Sequence, residues 1–140
     1  MTRVTLIAQT ARGANTVEST KLALGKPGEP ILEVKRVRHY ECGRPLAFEE
    51  VILPLSHYPG LDRNGDVTVN LPELAQQYGL VLGRATERVS TVLASDGVAV
   101  HLGVTAGTPI LKLDRLTATA DGAPIEWRVS FANPREKNQL

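Results

Sequence analysis

The sequence predicts an α+β domain: a mainly antiparallel six-stranded sheet with helices packed on one face. Three observations predict it. Strand-like runs come in hairpin pairs, joined by the Gly43–Arg44–Pro45 and Asp121–Gly122 turns. The two halves of the chain resemble each other. The length, 140 residues, and an apolar fraction of 42% against 22% charged suit one globular domain with its own core.

The elements follow in order. VTLIA at 4–8 is a short β-rich run. Asn15 with Glu18 three residues later has the pattern of a capping box, opening a helix that ends at Gly25. Residues 31–40 and 45–53 form the first hairpin. SHYPGLDRNGD at 56–66 reads as a loop because turn formers dominate it. Asn70 caps a helix with Pro72 in its first turn and Glu73 at its third position, stopped by Gly79. GRATERVSTVLA at 83–94 is a long strand, and Ser95 or Asp96 then starts a short helix closed by Gly103. Strands at 109–119 and 124–132 flank the Asp121–Gly122 turn.

Placing residue i over residue i+79 sets ILEVKRV at 31–37 on ILKLDRL at 110–116, with Arg36 on Arg115. Gly43 and Pro45 then fall on Gly122 and Pro124. Upstream, LALGKPGEP resembles VHLGVTAGTP once one residue is gapped, which aligns the two Leu-Gly pairs. Two copies are too few for a solenoid. Two αββ units sharing one sheet fit the pattern.

Charge and composition exclude several classes. Net charge is +1, so this chain offers no electrostatic footprint for nucleic acid. The single cysteine, Cys42, cannot form an internal disulfide, which suits a reducing cytoplasm. No apolar run approaches the roughly 18 residues of a membrane helix, and the N-terminus lacks a signal peptide's apolar core. Soluble and cytoplasmic is the expectation.

The stretch RVRHYECGRPLAFEEVILP carries the chemistry. Alternation puts Arg36 and Arg38 on one strand face, and the turn brings Glu49 back alongside them. On the last strand Glu126, Arg128 and Ser130 share one face, while Trp127, Val129 and Phe131 share the other and need a core. Glu49 lies near the repeat-equivalent position of Glu126. Arginines that grip a carboxylate or phosphate beside carboxylates that accept hydrogen bonds make a pocket for a small polar anion. The alternative is a salt-bridge ladder on a solvated sheet face. His39, His57 and His101 have no metal-ligand spacing, Cys42 has no obvious histidine base, and neither a phosphate loop nor a dinucleotide fingerprint occurs. No metal and no cofactor are expected.

With LPELAQQYGLVLGRATERVS and LGVTAGTPILKLDRLTATADGAPIEWRVS, that stretch resembles the UTRA domain, the effector-sensing module of the HutC subfamily of GntR-type bacterial transcription regulators. The resemblance spans about residues 20 to 132. It implies a chorismate lyase-like fold with internal pseudo-two-fold symmetry and no enzymatic activity. It also implies an effector gripped by Arg36 and Arg38 and contacted by Glu49 and Glu126. Arg128 joins them from the shared face. Asn70 stands where the family often has a serine that touches phosphate.

The sequence departs from the family at Asn70–Leu71–Pro72, where Ser-Leu-Tyr is common, and at Ala132, where tyrosine is common. Both departures count against a phosphosugar, which stays among the expected anionic effectors, and leave room for a smaller carboxylate such as a sugar acid, an amino-acid catabolite or an imidazole acid. Relatives carry a winged helix-turn-helix before the sensor. The expectation here is one sensing domain over 1–140 without it, acting as a homodimer and reaching operator DNA only through that separate domain. A chorismate lyase-like enzyme on the same fold is the alternative.

Overall fold

The structure, a computed structural model, describes residues 3–134. It is an open six-stranded sheet in the order β1-β2-β3-β6-β5-β4, with every neighbouring pair antiparallel. The strands are β1 Arg3–Gly13, β2 Pro30–His39, β3 Pro45–Pro54, β4 Leu82–Leu93, β5 Pro109–Thr119 and β6 Pro124–Ala132. The helices are α1 Thr16–Lys21, α2 Leu61–Asn64, α3 Leu71–Gln77 and α4 Asp96–Leu102.

The duplication is real, and its unit is βαββ rather than αββ. Read from either edge the sheet repeats itself, β1-β2-β3 against β4-β5-β6, and the halves join at β3–β6. The same backbone clamp closes both halves. Ala14 N–H donates to the Glu29 carbonyl and Gly28 N–H to that of Ala14, each at 2.8 Å. Ala94 does the same with Thr108 and Gly107, again at 2.8 Å. β1 is an 11-residue strand, longer than VTLIA, because it pairs along its whole length with β2 as an edge strand.

The register of the duplication also differs from the Leu-Gly match. Leu24 N–H bonds the Ser19 carbonyl, as Val104 N–H bonds that of Ala99. Buried Leu22 thus corresponds to buried Leu102, and Ala23 to Gly103. Both of the latter are left-handed, Ala23 at φ 52° and Gly103 at φ 65°. α1 therefore ends at Lys21, short of Gly25.

Local chemistry explains the helix starts. The Asn15 side chain accepts from Glu18 N–H at 2.8 Å while Glu18 accepts from Asn15 N–H at 3.0 Å, a complete capping box. Asn70 and Ser95 cap α3 and α4 in the same way from one side. Residues 56–66 hold a short helix, α2, where a loop was expected. Its N-cap, Gly60, gives no side-chain cap, so the usual signal is missing.

Helices cover both faces of the sheet, not one. Strand alternation sends Ile31 and Leu32 to opposite sides, and both are buried. Ile31 and Ile52 pack with Leu22 beside α1, and Val37, Phe48 and Ile110 pack under Ala99 and Leu102 of α4. Leu32, Val34, Val51 and Leu53 pack instead under Leu61 of α2 and Leu74 of α3. The segment between the two repeats thus supplies the second layer.

Candidate functional site

The face under α2 and α3 is apolar only where they cover it; beyond them it is charged. Cross-strand register builds it row by row. Arg36 lies opposite Glu49, which lies opposite Ser130 and then Leu113. The next row runs Val34, Val51, Arg128, Arg115, Glu87. One row further, Glu126 faces Thr117, and in the other direction Arg38 faces Ala47.

Arg36 and Glu49 are 4% and 5% exposed. Arg36 Nε donates to Glu49 Oε1 at 2.8 Å, and its Nη1 donates to the Val67 carbonyl, also at 2.8 Å. Arg38 Nη2 reaches the same Glu49 oxygen at 3.4 Å, and Ser130 Oγ donates to Oε2 at 3.3 Å. Burial pushes the Glu49 carboxyl up, but Arg36, Arg38 and Arg128 together outweigh it and hold it below the usual carboxylate range.

Glu126 behaves oppositely. It is 2% exposed, and its nearest cation is Arg128 Nε at 3.9 Å, beyond hydrogen-bond length. Burial raises its carboxyl above the ordinary value despite Arg128 and Arg36, and the Glu49 charge adds to the rise. Tyr58, fully buried beneath, donates its hydroxyl to the Ile125 carbonyl at 3.0 Å. Burial and the Glu126 charge push that phenol up as well. Among the described residues, Arg36 Nη2, Thr117 Oγ1 and Glu126 Oε1 are buried without a hydrogen-bond partner.

Beside this cluster opens a cavity of about 410 Å³. Arg38, Glu49, Glu87, Arg128 and Ser130 give it polar walls, and Ala47, Leu111, Leu113 and Ala132 an apolar floor. Such a mix of apolar floor and a few convergent charges suits a small polar ligand. The structure brings Arg36, Arg38, Glu49, Glu126 and Arg128 together on one face. Asn70 stands apart: it is exposed, and its Oδ1 accepts from Glu73 N–H at 2.9 Å as the α3 cap.

The pairing of the two glutamates by symmetry is corrected. Arg36 faces Glu49 as Arg115 faces Arg128, so the repeat partner of Glu49 is Arg128, and that of Glu126 is Ala47. Glu87 and Arg115, 3.5 Å apart, belong to this face but were not among the expected site residues. The signal for Arg115 was present, since the Asp121–Gly122 turn sets the register that puts it opposite Arg128. Among the described residues, no group of three or more His, Cys, Asp or Glu is arranged to hold a metal ion. No helix there is long and apolar enough to cross a membrane.

The chain has clear relatives. The UTRA domain family profile matches residues 2–136. The HTH-type transcriptional repressor PhnF of Mycolicibacterium smegmatis is 31% identical over 104 residues, covering 74% of this chain and 42% of the relative. The uncharacterized HTH-type transcriptional regulator YurK of Bacillus subtilis is 30% identical over 101 residues, covering 71% of this chain and 41% of its own. The chain thus spans less than half the length of either. The crystal structure of the effector domain of PhnF from Mycobacterium smegmatis superposes with a TM-score of 0.89 at 27% identity, covering 96% of this chain and 82% of that one.

Proposed function

Because this chain belongs to the UTRA domain family, we propose that it is the effector-binding domain of a GntR-type transcription regulator of the HutC kind. In this reading a small anionic metabolite, bound on the charged face, controls DNA binding by a separate winged-helix domain. The observation that carries it is the buried Arg36–Glu49 pair set beside a cavity lined by Arg38 and Arg128. A buried ion pair contributes little net stability against apolar packing of the same volume, so its placement at a cavity points to ligand recognition.

Arg36 and Arg38 hold the acidic group of the metabolite. Glu49 fixes both guanidinium groups, and Glu126, favoured in its neutral form, can donate a hydrogen bond to the remainder of the ligand. Sugar acids, phosphosugars and amino-acid or imidazole catabolites share this chemistry. The domain acts as a homodimer in the cytoplasm and is not an enzyme. β4 supports the dimer: it is an edge strand with Val89 and Leu93 exposed, leaving backbone groups for a second copy.

A thermal-shift screen over anionic metabolites tests the reading. At least one acid should stabilise the domain, and Arg38→Ala should weaken that acid about ten- to hundredfold, the loss of one charge-assisted hydrogen bond. An Arg38→Ala variant that folds and keeps full affinity refutes it. Light scattering at tens of micromolar should give a dimer. A gel shift should show no sequence-selective DNA binding by this chain alone. Incubation with chorismate should release no 4-hydroxybenzoate.

A further inference from the structure

We propose that Arg115 and Arg128 form a second anion-binding position, so that the bound molecule carries two acidic groups, one at Arg38 and one at this pair. The proposal rests on the effector-binding reading and specifies its ligand class. Arg115 and Arg128 are direct cross-strand partners on one face of β5 and β6. Like charges placed so are destabilising. The fold does not require them: the equivalent position in the first repeat pairs Arg36 with Glu49.

Nearby carboxylates offset the pair only in part. Glu87 reaches Arg115 only at 3.5 Å, with both side chains more than a third exposed, where a surface contact is weak. Glu126 stays 3.9 Å from Arg128 and is driven by burial toward its neutral form. Glu49 acts on Arg128 through space, but its direct contacts are with Arg36 and Arg38. The β5–β6 side, where Arg128 lines the cavity and Arg115 lies directly across from it, therefore keeps an excess of positive charge.

Geometry separates this position from Arg38. Arg38 on β2 and Arg128 on β6 line the same cavity, with β3 between their strands. Arg38 lies in the row of Ala47 and Ala132, four residues along β6 from Arg128, so two interstrand spacings of about 4.8 Å and four residues of strand separate their backbones, and both side chains reach into the one cavity from opposite ends. Leu111, Leu113 and Ala47 floor the interval. A carboxylate or phosphate on each end of a short carbon spacer matches that layout, because each guanidinium can hold its acid bidentately.

Titration calorimetry at low salt with the dicarboxylates from malonate to adipate, each beside its monoamide, tests the proposal. On the unmodified chain the best dicarboxylate should bind about tenfold or more tightly than its monoamide. Arg115→Gln should erase that preference and leave the monoamide unchanged, whereas Arg38→Gln should weaken both. Equal binding of diacid and monoamide, or a preference that survives Arg115→Gln, overturns the second position; binding lost in Arg38→Gln would then leave the first reading standing. One readout needs no ligand at all. Relief of the facing charges should raise the low-salt melting temperature of Arg115→Gln by about 1–4 °C. An unchanged or lower value overturns the proposal even if no acid in the set binds.

Discussion

Arg36 Nε donates to Glu49 Oε1 at 2.8 Å directly across β2 and β3, with both side chains buried. Removing either partner strands a buried charge. Arg36→Ala or Glu49→Ala should each destabilise by about 3–5 kcal/mol, while Arg36→Met with Glu49→Leu should cost much less than the sum. Urea unfolding at pH 7 measures both. The folded Glu49 carboxyl lies below its unfolded value. Its contribution is complete above the unfolded value of about 4.3 and fades as pH falls through the folded one. Glu49→Gln should therefore lose stability at pH 7 but flatten the acid limb of the pH profile.

Glu126 should show the opposite sign. Its folded carboxyl is raised by burial, so the folded state binds more protons than the unfolded state above pH about 4.3. Stability then falls with rising pH until the folded value is passed. Glu126→Gln should remove this slope, gaining on the parent chain as pH rises above about 4.3. Denaturant midpoints across that range decide it, and a parallel pair of curves would refute it.

Ala23 holds φ 52° at a position where the other repeat has Gly103. An L-residue there costs roughly 1–2 kcal/mol, and glycine's extra unfolded entropy costs roughly 0.5–1. Ala23→Gly should therefore stabilise by about 0.5–1 kcal/mol, read as a higher melting temperature. Gly103→Ala should lower it.

Gly83 and Gly97 should respond to alanine in opposite directions. A Cβ on Gly83 would sit near the Thr119 carbonyl, which is backbone and cannot swing away. Gly83→Ala should cost about 1–3 kcal/mol and disturb the β4–β5 rungs next to the irregularity between Leu82 and Ala85. Gly97 lies in α4 with open space around it, so Gly97→Ala should stabilise by about 0.4–1 kcal/mol. Chemical denaturation of both variants checks the pair.

What was legible in the sequence was local. Asn15 with Glu18 and Asn70 with Glu73 announced their helices because a cap acts over three residues. Asp121–Gly122 announced its hairpin because a turn needs one left-handed residue, and Gly122 supplies it at φ 94°. Edge exposure hid the length of β1, since nearly every residue from Arg3 to Gly13 meets solvent and no apolar alternation marks the strand. The second helical layer is long-range, yet the adjacent buried pairs Ile31–Leu32 and Ile52–Leu53 already signalled burial on both faces.

At the site, same-face spacing found Arg36, Arg38, Glu49, Glu126 and Arg128, because alternation is a local property. Arg115 could be placed from the Asp121–Gly122 turn, whereas Glu87 needed the register of three strands at once. Asn70 was drawn in by resemblance, and here its side-chain oxygen serves the backbone of α3.

The seam between β3 and β6 also has a kinetic consequence. Across it Ser130 meets Glu49, 81 residues away in sequence, whereas β2–β3 and β5–β6 close over tight turns. Closure entropy grows with the length of chain enclosed, so the hairpins have the smaller cost to order. The expected order is therefore each hairpin first and the seam after them. We predict that its rungs form after the folding transition state, so truncating Val129 there should accelerate unfolding far more than it slows folding in a chevron experiment.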